Sequence, residues 1–163
     1  MSLRRLKMDA DKISHIGICV RNMEESLKFY RDALGMIVLG EKITDITEGG
    51  TQTARLGNYE LERSTRHWVS LGFNDNPLNP TLTLTSHPGE DSNGQAIHLD
   101  QVGISHIAFS VSDPKSIAEG LISSGYELAG AWDDFTDSFG RVKSLYMYDP
   151  DHMLVQFQMG GGS

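Results

Sequence analysis

ISHIGICV at residues 13–20 and ISHIAFSV at residues 104–111 carry the same residue at five of eight positions. The offset between His15 and His106 is 91 positions (106 minus 15), and two copies of one string in a chain of 163 residues indicate an internal duplication. Each copy is short and rich in Ile, Val and Phe, which is typical of a buried strand. The repeat predicts that both halves of the chain begin with a strand.

Signals for a helix follow each copy. In the first half Asn22 is a candidate cap, and in the second half Asp113 can cap a helix whose first residue is Pro114. Apolar residues then recur at helical spacing until a glycine, Gly35 or Gly125, ends the pattern. Each half is therefore predicted to begin with a strand that is followed by a helix.

Short strand candidates separated by turn residues come next, at 36–43, 53–57, 67–73 and 81–87 in the first half and at 126–132, 144–149 and 153–159 in the second. The segment FNDNPLNP (73–80) suits a hairpin turn. Each half is thus roughly βαβββ, and the predicted class is α+β with two such modules in tandem. The predicted boundaries are an N-terminal tail at 1–12, modules at 13–87 and 104–158, a linker at 88–103 and a flexible tail at 159–163.

Composition limits the classes of partner. Apolar residues make up 39% of the chain and charged residues 22%, as in ordinary globular proteins, and no apolar run is long enough for a membrane span. The net charge of −8 opposes binding to nucleic acid. Cys19 is the only cysteine and cannot form an internal disulfide, which fits a reducing compartment, so a cytoplasmic location is expected.

Four stretches in order resemble the vicinal oxygen chelate superfamily of glyoxalases, methylmalonyl-CoA epimerases, extradiol dioxygenases and fosfomycin and bleomycin resistance proteins. They are the strand with His15, the segment NMEESLKFYRDALGM (22–36), the strand with His106 and the segment YDPDHMLVQF (148–157). The resemblance covers residues 13–158 and implies two modules that form a cupped mixed β-sheet. It also implies a homodimer, because the cup of relatives is often completed by the partner chain.

The resemblance further implies a metal site with ligands on the first and fourth strands of each module. The matching residues are His15, Thr83, His106 and Gln156. Relatives typically carry glutamate at one or both closing positions, whereas this set has no carboxylate, so we expect weak binding of a divalent ion such as Fe, Mn, Zn, Ni or Co.

The catalytic base is left open by the sequence. A glutamine cannot transfer protons as a glutamate does, and neither closing strand contains Asp or Glu. Glu41, Asp134 and Asp137 are carboxylates that could stand in, and His15 and His106 could themselves act as acid or base, because imidazole titrates near neutral pH.

The segment AWDDFTDSFG (131–140) has the composition of a lid over an apolar ligand. We expect Trp132, Phe135 and Tyr146 to contact a substrate, and Arg141 to meet an anionic group on it.

The leading hypothesis is a metal-dependent enzyme acting on a small oxygen-bearing organic molecule, with lyase or isomerase chemistry favoured over dioxygenase. The alternative is a metal-free protein similar to the bleomycin resistance members, which binds or sequesters a small molecule in an aromatic-lined cup.

Overall fold

The computed structural model describes residues 11–47 and 59–160. The strand candidate at 53–57 and most of the two predicted tails lie outside these ranges. The strands are β1 His15–Cys19, β2 Ile37–Asp45, β3 Thr65–Gly72, β4 Thr81–Ser86, β5 His106–Val111, β6 Ser144–Tyr148 and β7 Leu154–Met159. The helices are α1 Met23–Leu27, which continues as a π-helical segment Lys28–Ala33, α2 Pro114–Ser123 and α3 Trp132–Phe135.

The first sheet has four strands in the order β1-β4-β3-β2. Strand β1 runs parallel to β4, while β3 is antiparallel to both β4 and β2. The antiparallel pairing of β3 with β4 confirms the hairpin predicted at residues 73–80. The first half thus has the predicted order of one strand, one helical segment and three strands.

The second sheet has three strands in the order β5-β7-β6. The predicted strand at 126–132 is reduced to one bridge between Leu128 and Met147, flanked by backbone hydrogen bonds from Ala129 to Tyr146 and from Tyr148 to Glu127. Gly130 follows with a φ of 146°, which turns the chain away before pairing can continue. Mixed sheets with few helices confirm the α+β class.

Helix α2 lies against the second sheet and contacts β6 and β7. It begins as predicted, because the Asp113 side chain accepts a hydrogen bond from the backbone N–H of Ser116 and Pro114 occupies the first turn. Pro114, Ala118 and Leu121 of α2 are buried. Within the described part of the chain, every helix is too short or too polar to span a bilayer.

Packing divides the chain into two units. The first contains the described residues up to Met23 together with Gly35–Glu90, and the second contains Glu24–Leu34 together with the described residues from Asp91 onward. The helical segment of the first half therefore packs in the unit built mainly from the second half. The boundaries predicted along the chain stay a prediction.

Two side chains anchor Glu24–Leu34 in the second unit. Phe29 and Tyr30 are fully buried, and the Phe29 ring meets the Tyr126 ring edge-on with centroids 4.9 Å apart. The Tyr30 hydroxyl donates a 2.8 Å hydrogen bond to Oδ2 of Asp149, which is itself buried. The segment is therefore held by both an aromatic contact and a buried polar contact.

The buried Tyr30 hydroxyl makes stability depend on alkaline pH. Burial, and then the negative charge of Asp149, hold the pKa of Tyr30 well above its ordinary value of 10.0. Because unfolded chains lose this proton and folded chains keep it, stability is fully present below about pH 10 and falls as pH rises. We expect the 295 nm absorbance of one tyrosinate to appear only when the protein unfolds, that is, together with loss of the circular dichroism signal. A Tyr30→Phe variant should lack that step, and smooth titration of every tyrosine in folded protein would contradict the prediction.

Candidate functional site

The second sheet has one buried face and one polar face. Ile107, Val155, Phe157, Leu145 and Met147 alternate on the buried face. His106 pairs with Leu154, and Gln156 lies between Ala108 and Tyr146 on the neighbouring strands, so His106, Gln156 and Tyr146 share the other face. The structure therefore brings together three of the residues predicted for the site.

The His106 ring makes two contacts. The Ser105 hydroxyl is 2.9 Å from Nδ1 of His106, and the Tyr146 ring meets the imidazole edge-on with centroids 5.5 Å apart. Within residues 11–47 and 59–160, neither Nε2 of His106 nor the Tyr146 hydroxyl has a hydrogen-bond partner. An imidazole nitrogen and a phenol thus lie side by side with their polar atoms available to a ligand.

Gln156 is oriented by its neighbour on β6. Its amide Nε2 donates a 2.7 Å hydrogen bond to Oγ of Ser144. The carbonyl oxygen Oε1 has no partner in the described part of the chain and is left as an acceptor. The polar face can therefore both donate to and accept from an oxygen-bearing molecule.

The residues predicted to contact substrate fall in different places. Phe135 lies beside the site, with its ring centroid 6.4 Å from that of Tyr146. Trp132 lines a separate cavity of about 260 Å³ with the α2 residues Lys115 and Glu119. Arg141 is exposed and bound by Asp137, at 3.1 Å between Nη2 and Oδ2. Tyr146 and Phe135 thus cluster with His106, whereas substrate contacts of Trp132 and Arg141 stay a prediction.

The first sheet also has a polar face, and it carries His15. His15 pairs with Thr81, and Gly17 pairs with Thr83, so both members of each pair face the same side. The Ser14 hydroxyl lies 3.0 Å from Nδ1 of His15, which repeats the contact of Ser105 with His106. His15 is exposed and Thr83 is 7% exposed.

The serine that precedes each histidine was not identified as a functional residue by sequence reasoning. The signal was present, because the dipeptide Ser-His is part of the repeated string at 13–20 and 104–111. A hydroxyl on Nδ1 occupies that ring nitrogen, so Nε2 is the nitrogen left available in each half.

The carboxylates considered as substitutes for the missing glutamate are engaged elsewhere. Glu41 binds Nε2 of His67 at 2.7 Å and pairs with Val69, on the face opposite Thr83. Asp134 accepts a hydrogen bond from the backbone of Ala131. Asp137 is occupied by Arg141, and hydrogen bonds from the backbone N–H groups of Arg141 and Phe139, followed by the Arg141 guanidinium, lower the pKa of that carboxyl.

The donor atoms of each unit determine whether a divalent metal fits there. The first unit offers Nε2 of His15 and Oγ1 of Thr83, and the second offers Nε2 of His106 and Oε1 of Gln156, all of them neutral. No group of three or more His, Cys, Asp or Glu side chains suited to a metal ion occurs among the described residues. Neither unit alone therefore fits a resident divalent ion, and the four-residue ligand set implied by the family stays a prediction.

A carboxylate added beside His106 should allow the second unit to bind a divalent metal ion. We expect Gln156→Glu to raise the affinity for Co²⁺ by about tenfold or more, because an anionic oxygen then joins the imidazole on one face. Isothermal titration with Co²⁺ measures it, and Gln158→Glu, on the same face of β7, is the matched control. Stoichiometric metal in the natural protein purified without chelator would contradict our reading of the donor set.

Two sheets that each present a polar face with a Ser-His pair define a duplicated strand-helix-strand protein. The chain belongs to the Glyoxalase/Bleomycin resistance protein/Dioxygenase superfamily, whose family model matches residues 12–157. This confirms the resemblance seen in the sequence, and members of the superfamily generally use divalent metals.

Individual relatives are distant. Lactoylglutathione lyase of Schizosaccharomyces pombe is 23% identical over 160 residues, which is 91% of this chain and 47% of the yeast protein. The chain thus spans about half the length of this curated relative. A trypanothione-dependent glyoxalase I of Leishmania major matches with a TM-score of 0.64 and 22% identity over 92% of this chain and 87% of its own. A glyoxalase family protein of Bacillus cereus gives a TM-score of 0.74 and 14% identity over 96% and 99%. These structural likenesses show a common fold.

Proposed function

We propose that this protein is an enzyme that moves a proton next to a carbonyl group in a small oxygen-bearing organic molecule. The observation that carries the proposal is the pair of His106 and Tyr146 on one sheet face, with ring centroids 5.5 Å apart and both polar ends available. Adjacent basic and hydrogen-bond-donating groups are what proton abstraction beside a carbonyl requires.

In the proposed step Nε2 of His106 takes a proton from the carbon next to the carbonyl. The electron pair of that C–H bond forms a C=C bond, and the carbonyl oxygen becomes an enolate that accepts a hydrogen bond from the Tyr146 hydroxyl. The carbon that lost its proton bears a hydroxyl group. The proton of that hydroxyl passes to the enolate oxygen while the O–H electron pair forms a new C=O bond, and the C=C pair takes the proton back from His106 at the former carbonyl carbon, which completes the isomerisation of a hydroxycarbonyl compound. Ser105 supports the step by accepting from Nδ1–H, because this keeps Nε2 unprotonated before the transfer and steadies the imidazolium after it.

Two further groups support binding on this face. The carbonyl of Gln156 accepts a hydrogen bond from a substrate hydroxyl, since the amide nitrogen is held by Ser144. Phe135 supplies an apolar edge beside Tyr146. The substrate class is therefore a hydroxycarbonyl compound or an adduct of similar chemistry.

The test uses the hemithioacetal of methylglyoxal and glutathione as the probe, because one relative is named a lactoylglutathione lyase. In D₂O we expect the protein to catalyse exchange of the carbon-bound proton beside the carbonyl, followed by ¹H NMR, with a shift of the His106 ring signals on binding. A shift at His106 without exchange would contradict proton transfer and leave a binding protein. Absence of both effects would overturn the proposal for this substrate class.

Binding without turnover is the second candidate, in the manner of a bleomycin-resistance-like protein that sequesters its ligand. The contact between Phe135 and Tyr146 favours it, because aromatic rings beside a polar face are typical of ligand pockets. The same experiment separates the two candidates, since only the enzyme exchanges the probe's proton.

A further inference from the structure

A second pair of a histidine and a tyrosine lies on the polar face of the second sheet. The His152 ring meets the Tyr148 ring with centroids 5.3 Å apart. The corresponding distance from His106 to Tyr146 is 5.5 Å. Tyr146 and Tyr148 are two positions apart on β6, so both tyrosines lie on the same face. The face that carries His106 therefore presents two pairs of an imidazole and a phenol.

The strand sets the spacing of the two pairs. Two residues of a strand span about 7 Å, which is the separation expected between Tyr146 and Tyr148 along β6. Across the strands, Tyr148 pairs with Leu154 and Leu154 pairs with His106, so an apolar side chain lies between His106 and Tyr148. A ligand that contacts both pairs therefore has two polar groups about 7 Å apart, joined by an apolar chain.

The backbone at His152 is one that glycine adopts more readily than histidine. His152 has a φ of 60°, and within the described part of the chain it is the only residue other than glycine with a positive φ. Main-chain hydrogen bonds and the Asp149 carboxylate hold the turn, and none of these bonds involves the His152 ring. The fold accommodates the imidazole at this position but does not require it.

Both polar ends of the second pair are available to a ligand. His152 is exposed and Tyr148 is half-buried. Within residues 11–47 and 59–160, neither ring nitrogen of His152 nor the Tyr148 hydroxyl has a hydrogen-bond partner. A neutral imidazole and a phenol each donate one hydrogen bond, and a carbonyl oxygen can accept two through its two lone pairs. The second pair therefore matches a carbonyl oxygen.

Negative charge around the second pair decides between a neutral and an ionised acceptor. Asp149 and Asp151 lie in the turn that carries His152, and this turn contains no lysine or arginine. Next to β6, the backbone carbonyl of Glu127 accepts a 2.9 Å hydrogen bond from the N–H of Tyr148, and Glu127 is exposed. This excess of carboxylates opposes the binding of an anion but not of a neutral group. The carbonyl of an amide is such a neutral acceptor.

We propose that His152 and Tyr148 are specificity-determining residues that bind the amide carbonyl of a substrate whose reacting carbon lies at His106. This inference rests on the proposed function, because that function places the reacting carbon at His106 and Tyr146. It adds a substrate class, namely hydroxycarbonyl compounds and adducts that carry a neutral amide about 7 Å from the reacting carbon.

The test compares three ketones, which are the S-acetonyl thioethers of N-acetylcysteamine, butanethiol and 4-mercaptobutanoate. They place an amide, a methyl group or a carboxylate at the same point along the chain from the ketone. By isothermal titration we expect the amide ketone to bind at least about fivefold more tightly than the other two, the effect of roughly one hydrogen bond. In the ¹H NMR spectrum it should also shift the ring signals of His152.

His152→Gly is the decisive variant, because glycine adopts the left-handed backbone without strain and has no side chain. It should keep its melting temperature and its affinity for the butyl ketone, and lose the preference for the amide. Tyr148→Phe should lose part of that preference, whereas His98→Gly, at an exposed histidine outside the sheets, should retain all of it. Equal affinities of the three ketones in the natural protein, or an amide preference that survives in His152→Gly, would overturn the inference.

The two proposals fail separately. The carbon-bound protons between the ketone and the sulfur report proton transfer when the experiment is run in D₂O. An amide preference that requires His152, without exchange of those protons, supports the second pair and overturns the proposed function alone. Exchange that depends on His106, without any preference for the amide, overturns the second pair alone.

Discussion

Replacing Asp149 with Ala is expected to lower the free energy of unfolding by about 3–5 kcal/mol. Asp149 is 3% exposed and accepts three hydrogen bonds: from the Tyr30 hydroxyl at 2.8 Å and from the backbone N–H groups of Asp151 and Met153 at 2.9 and 2.8 Å. Alanine leaves all three donors without their acceptor. Urea unfolding followed by circular dichroism measures the change.

Two variants calibrate this result. Tyr30→Phe removes one donor and keeps the carboxylate, so it should cost about 1 kcal/mol. Asp133→Ala alters an exposed carboxylate of α3 and should change stability by less than about 0.5 kcal/mol. A cost for Asp149→Ala no larger than that of Tyr30→Phe would show that the carboxylate does not organise this turn.

His106→Ala is expected to lower the rate of proton exchange in the hemithioacetal by about 10²–10⁴-fold, the usual contribution of a positioned acid or base. The loss should appear in kcat, since the imidazole acts on the reacting carbon, while KM changes little. Tyr146→Phe should give a smaller loss of about 10–10²-fold by removing one hydrogen bond to the enolate. Rates from NMR exchange and steady-state kinetics provide the measurement.

The matched control is His98→Ala, which alters an exposed histidine outside the sheets. Its rate should equal that of the natural protein. If His106 and Tyr146 act on one transition state, the double variant should lose less than the product of the two single losses. A rate unchanged by His106→Ala would remove this residue from the mechanism and leave His15 as the imidazole to test.

Local signals explain what the sequence predicted correctly about the fold. The strand at His106–Val111 was predicted from an apolar run, and α2 was predicted from Asp113 and Pro114, whose capping role depends only on neighbours in the chain. The strand predicted at 126–132 became a single bridge, because its extent is set by the turn at Gly130.

Packing across long sequence distances could not be predicted. Tyr30 lies in the segment that the sequence predicts as helical, but its partner Asp149 is 119 positions away and no local pattern links the two. The π-helical turn at Lys28–Ala33 likewise has no signal in the capping or periodicity rules.

The candidate site also combines residues that local patterns predict with contacts that they do not. Alternation along a strand places Tyr146 and Gln156 with His106 once the register is known. The family resemblance implied His106 and Gln156 as a pair, whereas Tyr146 was expected only as an aromatic contact of the substrate. Trp132 and Phe135 belong to one four-residue helix yet lie in different surroundings, and their sequence separation does not indicate which one reaches Tyr146.

The packing of Glu24–Leu34 in the second unit has a consequence for the order of events during synthesis. This segment leaves the ribosome before Tyr126 and Asp149, which hold it and follow about a hundred residues later. Phe29 and Tyr30 therefore have no native burial site until those later residues have been translated. The duplication does not give two halves that fold one after the other, so the second unit should acquire its structure late and slowly, as non-local contacts require.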